Sequence, residues 1–147
     1  MFGSILVVCI GNICRSPVGE KLLKQYFPEK RIFSAGISAE RSHLVGKGVD
    51  PTMQQVAISR GVDLSEHRSQ QLTSELCKNV DLILVMEKGH IDLVRQISPE
   101  SSGKVMLFGH WLDSNKDIPD PYRQSEDMFR EVYALIEDAA LRWKLKL

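Results

Sequence analysis

Four short runs of nearly pure apolar residues punctuate the chain: SILVVCI (4–10), IFSA (32–35), VDLILVM (80–86) and KVMLFG (104–109). Strands this uniformly apolar have no polar face to offer water, so the sheet they form must be covered on both sides. Segments with helical spacing lie between and after them. The first opens at Ser16-Pro17, where Ser16 suits an N-cap and Pro17 the first helical position, and Pro28 bounds it. Val18, Leu22 and Leu23 face inward on it. A second runs from Asp50-Pro51 to about Gly61, a short one holds Thr73, Leu76 and Cys77, and another covers 88–97. The last, 125–143, carries Phe129, Val132, Tyr133, Ile136 and Ala140 on one face. This alternation predicts an α/β fold: one domain, residues 1–147, with a central four-stranded parallel sheet and helices on both faces. Residues 36–50 and 109–124 read as loops.

Ligands of such folds bind beyond the carboxyl ends of the strands. Cys9 ends the first strand and the loop IPDPYR (118–123) follows the fourth, so both belong to that rim.

Composition narrows the functions. Nineteen basic residues balance nineteen acidic ones, which argues against binding a nucleic-acid backbone. No apolar run approaches the roughly 18 residues of a membrane span, so no stable membrane insertion is expected. The run at 5–10 has no basic leader or cleavage site, so the cytoplasm is the expected location. Three cysteines, Cys9, Cys14 and Cys77, form neither a disulfide framework nor a structural zinc pattern.

The strand-to-helix junction is VCIGNICRSP (8–17). A lone cysteine at a strand end is ordinarily a small buried hydrophobe. Here Gly11 can relieve a tight backbone and Asn12 tolerates left-handed geometry. Successive N–H groups of 10–14, backed by the following helix, can form an anion nest. Arg15 can clamp two oxygens of a tetrahedral anion with its planar fork. A thiol in that field is favoured as the thiolate, and the Ser16 hydroxyl can donate to it. The pattern suggests covalent phosphoryl transfer. It is not a nucleotide P-loop, because GxxxxGK[ST] is absent.

Such chemistry needs a proton donor for the leaving oxygen, and Asp120, held between Pro119 and Pro121, offers a carboxylic acid. The competing reading of Asp-Pro is a plain turn. Tyr122 can wall a pocket and stack on an aromatic substrate, or can simply pack.

VCIGNICRSP, SAG (34–36), VDLILVM and DPY (120–122) together resemble the low-molecular-weight protein tyrosine phosphatases, over nearly the whole chain and in that family's order. The resemblance implies that Cys9 is the nucleophile, that Arg15 binds phosphate, and that Asp120 protonates the tyrosine oxygen and then activates water. It makes Ile10, Gly11, Asn12, Ile13, Cys14 and Ser16 the phosphate loop, with Ser34 in support. It implies no metal and no cofactor. It also implies that Cys14 can form a reversible disulfide with Cys9, the alternative being a small core residue.

LVGKG (44–48), DPT (50–52), MEKGHI (86–91) and GKVMLFGHW (103–111) are similar to the bacterial branch that acts on tyrosine autokinases of capsule and exopolysaccharide export. The implied partner is a phosphotyrosine-bearing cytoplasmic tail of a membrane kinase. SAERSH (38–43) departs from that branch in length and charge. Leu44 is the candidate apolar pocket wall beside it, and Arg41 reads as a solvated charge before a contact for an acidic partner. His90 is expected at the surface, and Trp111 and Trp143 as packing or surface aromatics. His110, near Trp111, has no visible metal partner.

Two rivals stay open on sequence: an arsenate reductase of the same fold, for which Cys77 lacks the expected relay spacing, and a phosphotyrosine-binding module with a vestigial site. Cys9, Arg15 and Asp120 are all present, which disfavours the second.

Overall fold

The structure, a computed structural model, describes residues 2–113 and 115–147. Its elements are β1 (Ser4–Cys9), α1 (Arg15–Tyr26), β2 (Arg31–Gly36), α2 (Pro51–Ser59), α3 (Ser74–Lys78), β3 (Leu82–Val85) and α4 (Lys88–Ile97). A 3₁₀ turn (Pro99–Lys104), β4 (Val105–Leu107) and α5 (Glu126–Lys146) complete them. The four strands pair in parallel in the order β2-β1-β3-β4. The chain leaves β1 for one neighbour and returns past it to the other, so β1 and β3 flank the switch point, where a cleft opens in doubly wound sheets.

Both faces of the sheet are covered, as the apolar strands require. Ile5 and Val7 pack with residues of α1, α2 and α5, while Leu6 and Val8 pack with Leu72, Cys77 and Val94 on the other face. These four side chains of β1 are fully buried, each contributing about 1.5–3 kcal/mol of transfer free energy. The five expected inward residues of α5 are all buried. Trp143 is a packing residue whose indole N–H donates to the Phe108 carbonyl at 2.8 Å. Trp111 stacks edge-on against it at 5.7 Å, with the Lys146 ammonium 4.5 Å from its ring centre.

Caps fix the helix starts. Asp50 accepts from the N–H groups of Thr52 and Met53 ahead of α2, with Pro51 as its first residue, and Gly61 ends that segment at φ 77°. Thr73 caps α3 and Ser125 caps α5.

The start of α1 departs from expectation. Its first residue is Arg15, with Cys14 in the cap position and no side-chain cap bond. Ser16 is therefore not the N-cap and Pro17 is third in the helix. Pro17 still fits, because a helix leaves its first four N–H groups without intrahelical partners. The Ser16 hydroxyl is instead turned to the loop before it. β4 is also shorter than its apolar run: the 3₁₀ turn takes up Lys104, whose ammonium donates to the Val80 carbonyl at 2.6 Å, and the strand ends at Leu107, before Phe108 and Gly109.

Candidate active site

β1 delivers Cys9 to the carboxyl edge of the sheet at 3% exposure, and residues 10–14 curl back under it before α1 begins. Ser16 Oγ lies 3.0 Å from Cys9 Sγ, and the Asn12 backbone N–H donates to the same sulfur at 3.3 Å. The left-handed residue of the loop is Asn12, at φ 59°, and not Gly11. A Cβ at Gly11 would come 2.8 Å from Leu44 Cδ1, the end of a flexible side chain that can give way.

Asn12 is fully buried and every polar group of its side chain is used. Nδ2 donates to Ser16 Oγ at 2.7 Å and to Ser34 Oγ at 3.0 Å, while Oδ1 accepts from Gln70 N–H at 2.9 Å. These bonds offset the strain of a positive φ, which Asn tolerates better than other side chains. Ser34 Oγ in turn donates to Glu20 Oε1 at 2.5 Å.

The segment 67–70 holds the loop from outside. Ser69 Oγ donates to the Gly11 carbonyl at 2.9 Å, and His67 Nε2 lies 2.7 Å from the Asn12 carbonyl. Burial pushes the His67 pKa below its usual value, opposed by its bond to Asn12. Gly36, the last residue of β2, lets the loop lie directly on the strand. A Cβ there would meet Ile10 O at 2.7 Å and Gly11 C at 2.9 Å.

Arg15 is only 1% exposed. Its Nη1 donates to Glu87 Oε2 at 2.5 Å and to the Ile118 carbonyl at 2.9 Å, and Nη2 lies 3.8 Å from Asp120 Oδ2. Asp120 Oδ1 accepts from Tyr122 N–H at 3.0 Å. A cleft of about 320 Å³ is lined by Cys9, Ile10, Gly11, Ile13, Cys14 and Arg15 on its floor side, and by Ser42, Leu44, Asp120, Tyr122 and Arg123.

The structure thus brings Cys9, Arg15 and Asp120 to one cleft with Ile10, Gly11, Ile13, Cys14, Leu44 and Tyr122, while Asn12, Ser16 and Ser34 are buried behind the loop. Tyr122 is exposed at the cleft wall, with the Arg123 guanidinium 5.3 Å from its ring centre. Cys14 is buried beside Cys9 and reduced; burial above all, then the charges of Asp50, Cys9 and Asp120, push its pKa far up. Cys77 lies in the core of the opposite sheet face, away from the cleft. Arg41 is exposed and borders a separate groove with Glu40 and His43.

His90 corrects a sequence expectation. It is buried at 5% exposure, not at the surface: Lys88 and Gly89 before it are exposed, and His90 is on the inward side of α4. Its Nε2 is 3.5 Å from Glu87 Oε2, and burial, then the charge of Arg15, lowers its pKa.

Sequence reasoning missed Glu87, Glu20, His67, Ser69, Gln70, Ser42 and Arg123. Glu87 stands inside MEKGHI, a stretch that carries only a family likeness. The residues at 67–70 read as a polar stretch because nothing local says what a polar loop holds.

A buried thiol beside an arginine, at the switch point of a parallel sheet, defines a class of protein that comparison with known proteins then specifies. The sequence model of the family described as low molecular weight phosphotyrosine protein phosphatase matches residues 4–147, and the chain belongs to that family. It is 54% identical to the probable low molecular weight protein-tyrosine-phosphatase AmsI of Erwinia amylovora, over 97% of this chain and 96% of that one. It is 52% identical to the low molecular weight protein-tyrosine-phosphatase Wzb of Escherichia coli, over 97% of this chain and 94% of that one. The structure of Vibrio vulnificus Wzb in complex with benzylphosphonate superposes with a TM-score of 0.97 at 55% identity, covering 100% of both chains.

Proposed function

We propose that the chain, working as one domain over residues 1–147, hydrolyses phosphotyrosine in proteins through a cysteinyl-phosphate intermediate. The observation that carries this reading is the environment of Cys9: a buried sulfur with Ser16 Oγ at 3.0 Å and the Asn12 N–H at 3.3 Å, in a cleft shared with Arg15.

Cys9 Sγ attacks phosphorus from the floor of the cleft. Arg15 and the loop N–H groups bind the equatorial oxygens, where charge spreads in the transition state. No side chain caps α1, which leaves the N–H groups of its first turn for those oxygens. Asp120 gives a proton to the departing tyrosine oxygen, then takes one from the water that cleaves the S–P bond. Leu44 and Tyr122 wall the aromatic ring. Benzylphosphonate, an aromatic ring carried on a tetrahedral anion, is the ligand of the Vibrio vulnificus relative and has the shape this cleft would hold.

Cys14 guards the nucleophile in this reading. An oxidised Cys9 sulfenic acid condenses with the Cys14 thiol, forming a disulfide and water before further oxidation.

The partner we propose is the phosphotyrosine-bearing cytoplasmic tail of a membrane tyrosine autokinase controlling capsule or exopolysaccharide export. LVGKG, DPT, MEKGHI and GKVMLFGHW support it, with the identity above 50% to Wzb and AmsI. That substrate places the chain in the cytoplasm. No helix among the described residues is long and apolar enough to cross a membrane.

The test is phosphate release from phosphotyrosine and phosphoserine peptides under reducing conditions with chelator present, with Cys9→Ser alongside. Release from phosphotyrosine alone, abolished in the variant, is the expected result. Equal release from both, or none, overturns the reading.

A further inference from the structure

Residues 121–124 form a turn beside the cleft, closed by the Gln124 N–H donating to the Pro121 carbonyl at 2.8 Å. The third residue of that turn is Arg123, at φ 62°. A positive φ at this position ordinarily goes with glycine or asparagine, and a long side chain there is strained. Strain of this kind gathers at functional sites, which makes the side chain worth following.

The chain has nine arginines. Seven of them reach an acceptor of the protein, as Arg130 does with Glu126 Oε2 at 3.0 Å and Arg142 with Asp138 Oδ1 at 3.2 Å. The two exceptions among the described residues are Arg41, which borders the separate groove, and Arg123, which lines the cleft. Arg123 does touch the Tyr122 ring, whose centre is 5.3 Å from the guanidinium. An arginine over an aromatic face is held in place while its five N–H donors stay available. A phosphotyrosine ring lying along Tyr122 brings the neighbouring residues of its chain to the rim, where Arg123 is exposed.

We propose that Arg123 is a specificity-determining residue: its guanidinium meets an anionic group on a substrate residue next to the phosphotyrosine, either a carboxylate or a second phosphoryl group. Arg15 is buried on the floor and serves the phosphoryl group that is transferred, whereas Arg123 reads what flanks it. The inference rests on the phosphatase reading for what enters the cleft, and on the turn and its unpaired cation for what is read at the rim.

The experiment measures kcat and KM on phenyl phosphate, which has no flanking residue, and on phosphotyrosine peptides flanked on both sides by Gln, Glu or phosphoserine. Wild type, Arg123→Asn, Arg123→Gly, Arg123→Lys and Arg41→Gln are compared. Asparagine and glycine suit the turn, so both neutral variants should unfold no earlier than wild type on heating. Wild type should favour the Glu peptide over the Gln peptide about 2- to 5-fold in kcat/KM, the range of an exposed ion pair. The difference should appear in KM, because the contact is made equally in the ground and transition states. It should shrink as salt is raised. Phosphoserine, with more charge and a bidentate fit to the guanidinium, should gain more than Glu. The neutral variants should lose the preference and keep kcat and KM on phenyl phosphate within about twofold, the mark of lost uniform binding to the flank alone. Arg123→Lys should keep part of the preference. Arg41→Gln makes the same change of charge at the other groove and should keep all of it.

A gain with phosphoserine alone assigns the rim to a second phosphoryl group, and a gain with both to anions in general. A wild type indifferent to all three flanks overturns the proposal, as does a preference that survives in Arg123→Asn and Arg123→Gly. So does a loss on phenyl phosphate as large as that on the peptides, which would make Arg123 a support for the wall. Loss of the preference in Arg41→Gln would assign it to the overall field and overturn the proposal too. A wild type that releases no phosphate overturns the phosphatase reading instead, and calorimetric dissociation constants of the same peptides still decide the role of Arg123.

Discussion

Ser16 Oγ lies 3.0 Å from Cys9 Sγ while accepting a 2.7 Å hydrogen bond from Asn12 Nδ2. An oxygen that already accepts from an amide has its own proton to give, and the sulfur is within reach. Ser16 thereby donates to Cys9 whenever the sulfur is a thiolate, which has no hydrogen of its own to give. A hydrogen bond to a charged group is worth about 1.5–3 kcal/mol, so Ser16→Ala should lower kcat roughly 10- to 100-fold. Pre-steady-state kinetics should show both formation and breakdown of the phosphoenzyme slowed. An unchanged kcat would falsify the donor assignment.

Asp120 has one oxygen on the Tyr122 N–H and the other near Arg15, in a segment held by Pro119 and Pro121. The second oxygen is the one open to a leaving group. Asp120→Asn should cost about 10²- to 10⁴-fold in kcat on phosphotyrosine, the usual contribution of a general acid. The cost should shrink for aryl phosphates whose phenols are strong acids, because such groups depart without a proton. A loss equal across a series of phenols would remove Asp120 from proton transfer.

What the sequence discloses and what it hides follow from the range of the interactions. Ile5, Val7, Leu6 and Val8 need both sheet faces covered whatever their neighbours, so parallel α/β architecture is readable from them alone. The loop 9–16 is readable because its parts are adjacent in the chain. Local preference casts Ser16 as a cap and cannot show a sulfur competing for its hydroxyl. His90 reads as a surface residue for a related reason: its own stretch is polar, and its burial comes from packing that the local sequence does not show. Glu87 and Ser69 act across 72 and 58 positions, where single-chain periodicity carries no signal.

His67 ties stability to pH. Its Nε2 faces a carbonyl that can only accept, so that nitrogen carries a hydrogen, and burial lowers the pKa from the ordinary 6.5. The unfolded chain then binds a proton more readily than the folded one. Stability from this source is fully present above about pH 6.5 and is lost as pH falls toward the depressed value. His90 acts with the same sign. Urea unfolding at pH 7.5 and 5.5 should show lower stability at 5.5. His67→Gln, whose amide can still donate to Asn12, should narrow the gap without closing it. A gap of the same size in that variant assigns the whole effect to His90.

Gly36 tests whether the phosphate loop tolerates any movement off β2. A methyl group there meets three backbone atoms of the loop: Ile10 O at 2.7 Å, Gly11 C at 2.9 Å and Asn12 N at 3.0 Å. Backbone cannot rotate aside as a side chain can, so the strand and the loop must separate. Overpacking of this kind costs about 1–3 kcal/mol. The shift falls on the loop that surrounds Cys9, so Gly36→Ala should lower kcat further than its loss of stability explains. Gly103, where a methyl group would find nothing within 4 Å, is the control, and Gly103→Ala should leave urea midpoint and kcat unchanged. Equal behaviour of the two variants would mean that the loop adjusts freely, and that the contact with Gly36 does not set the geometry around Cys9.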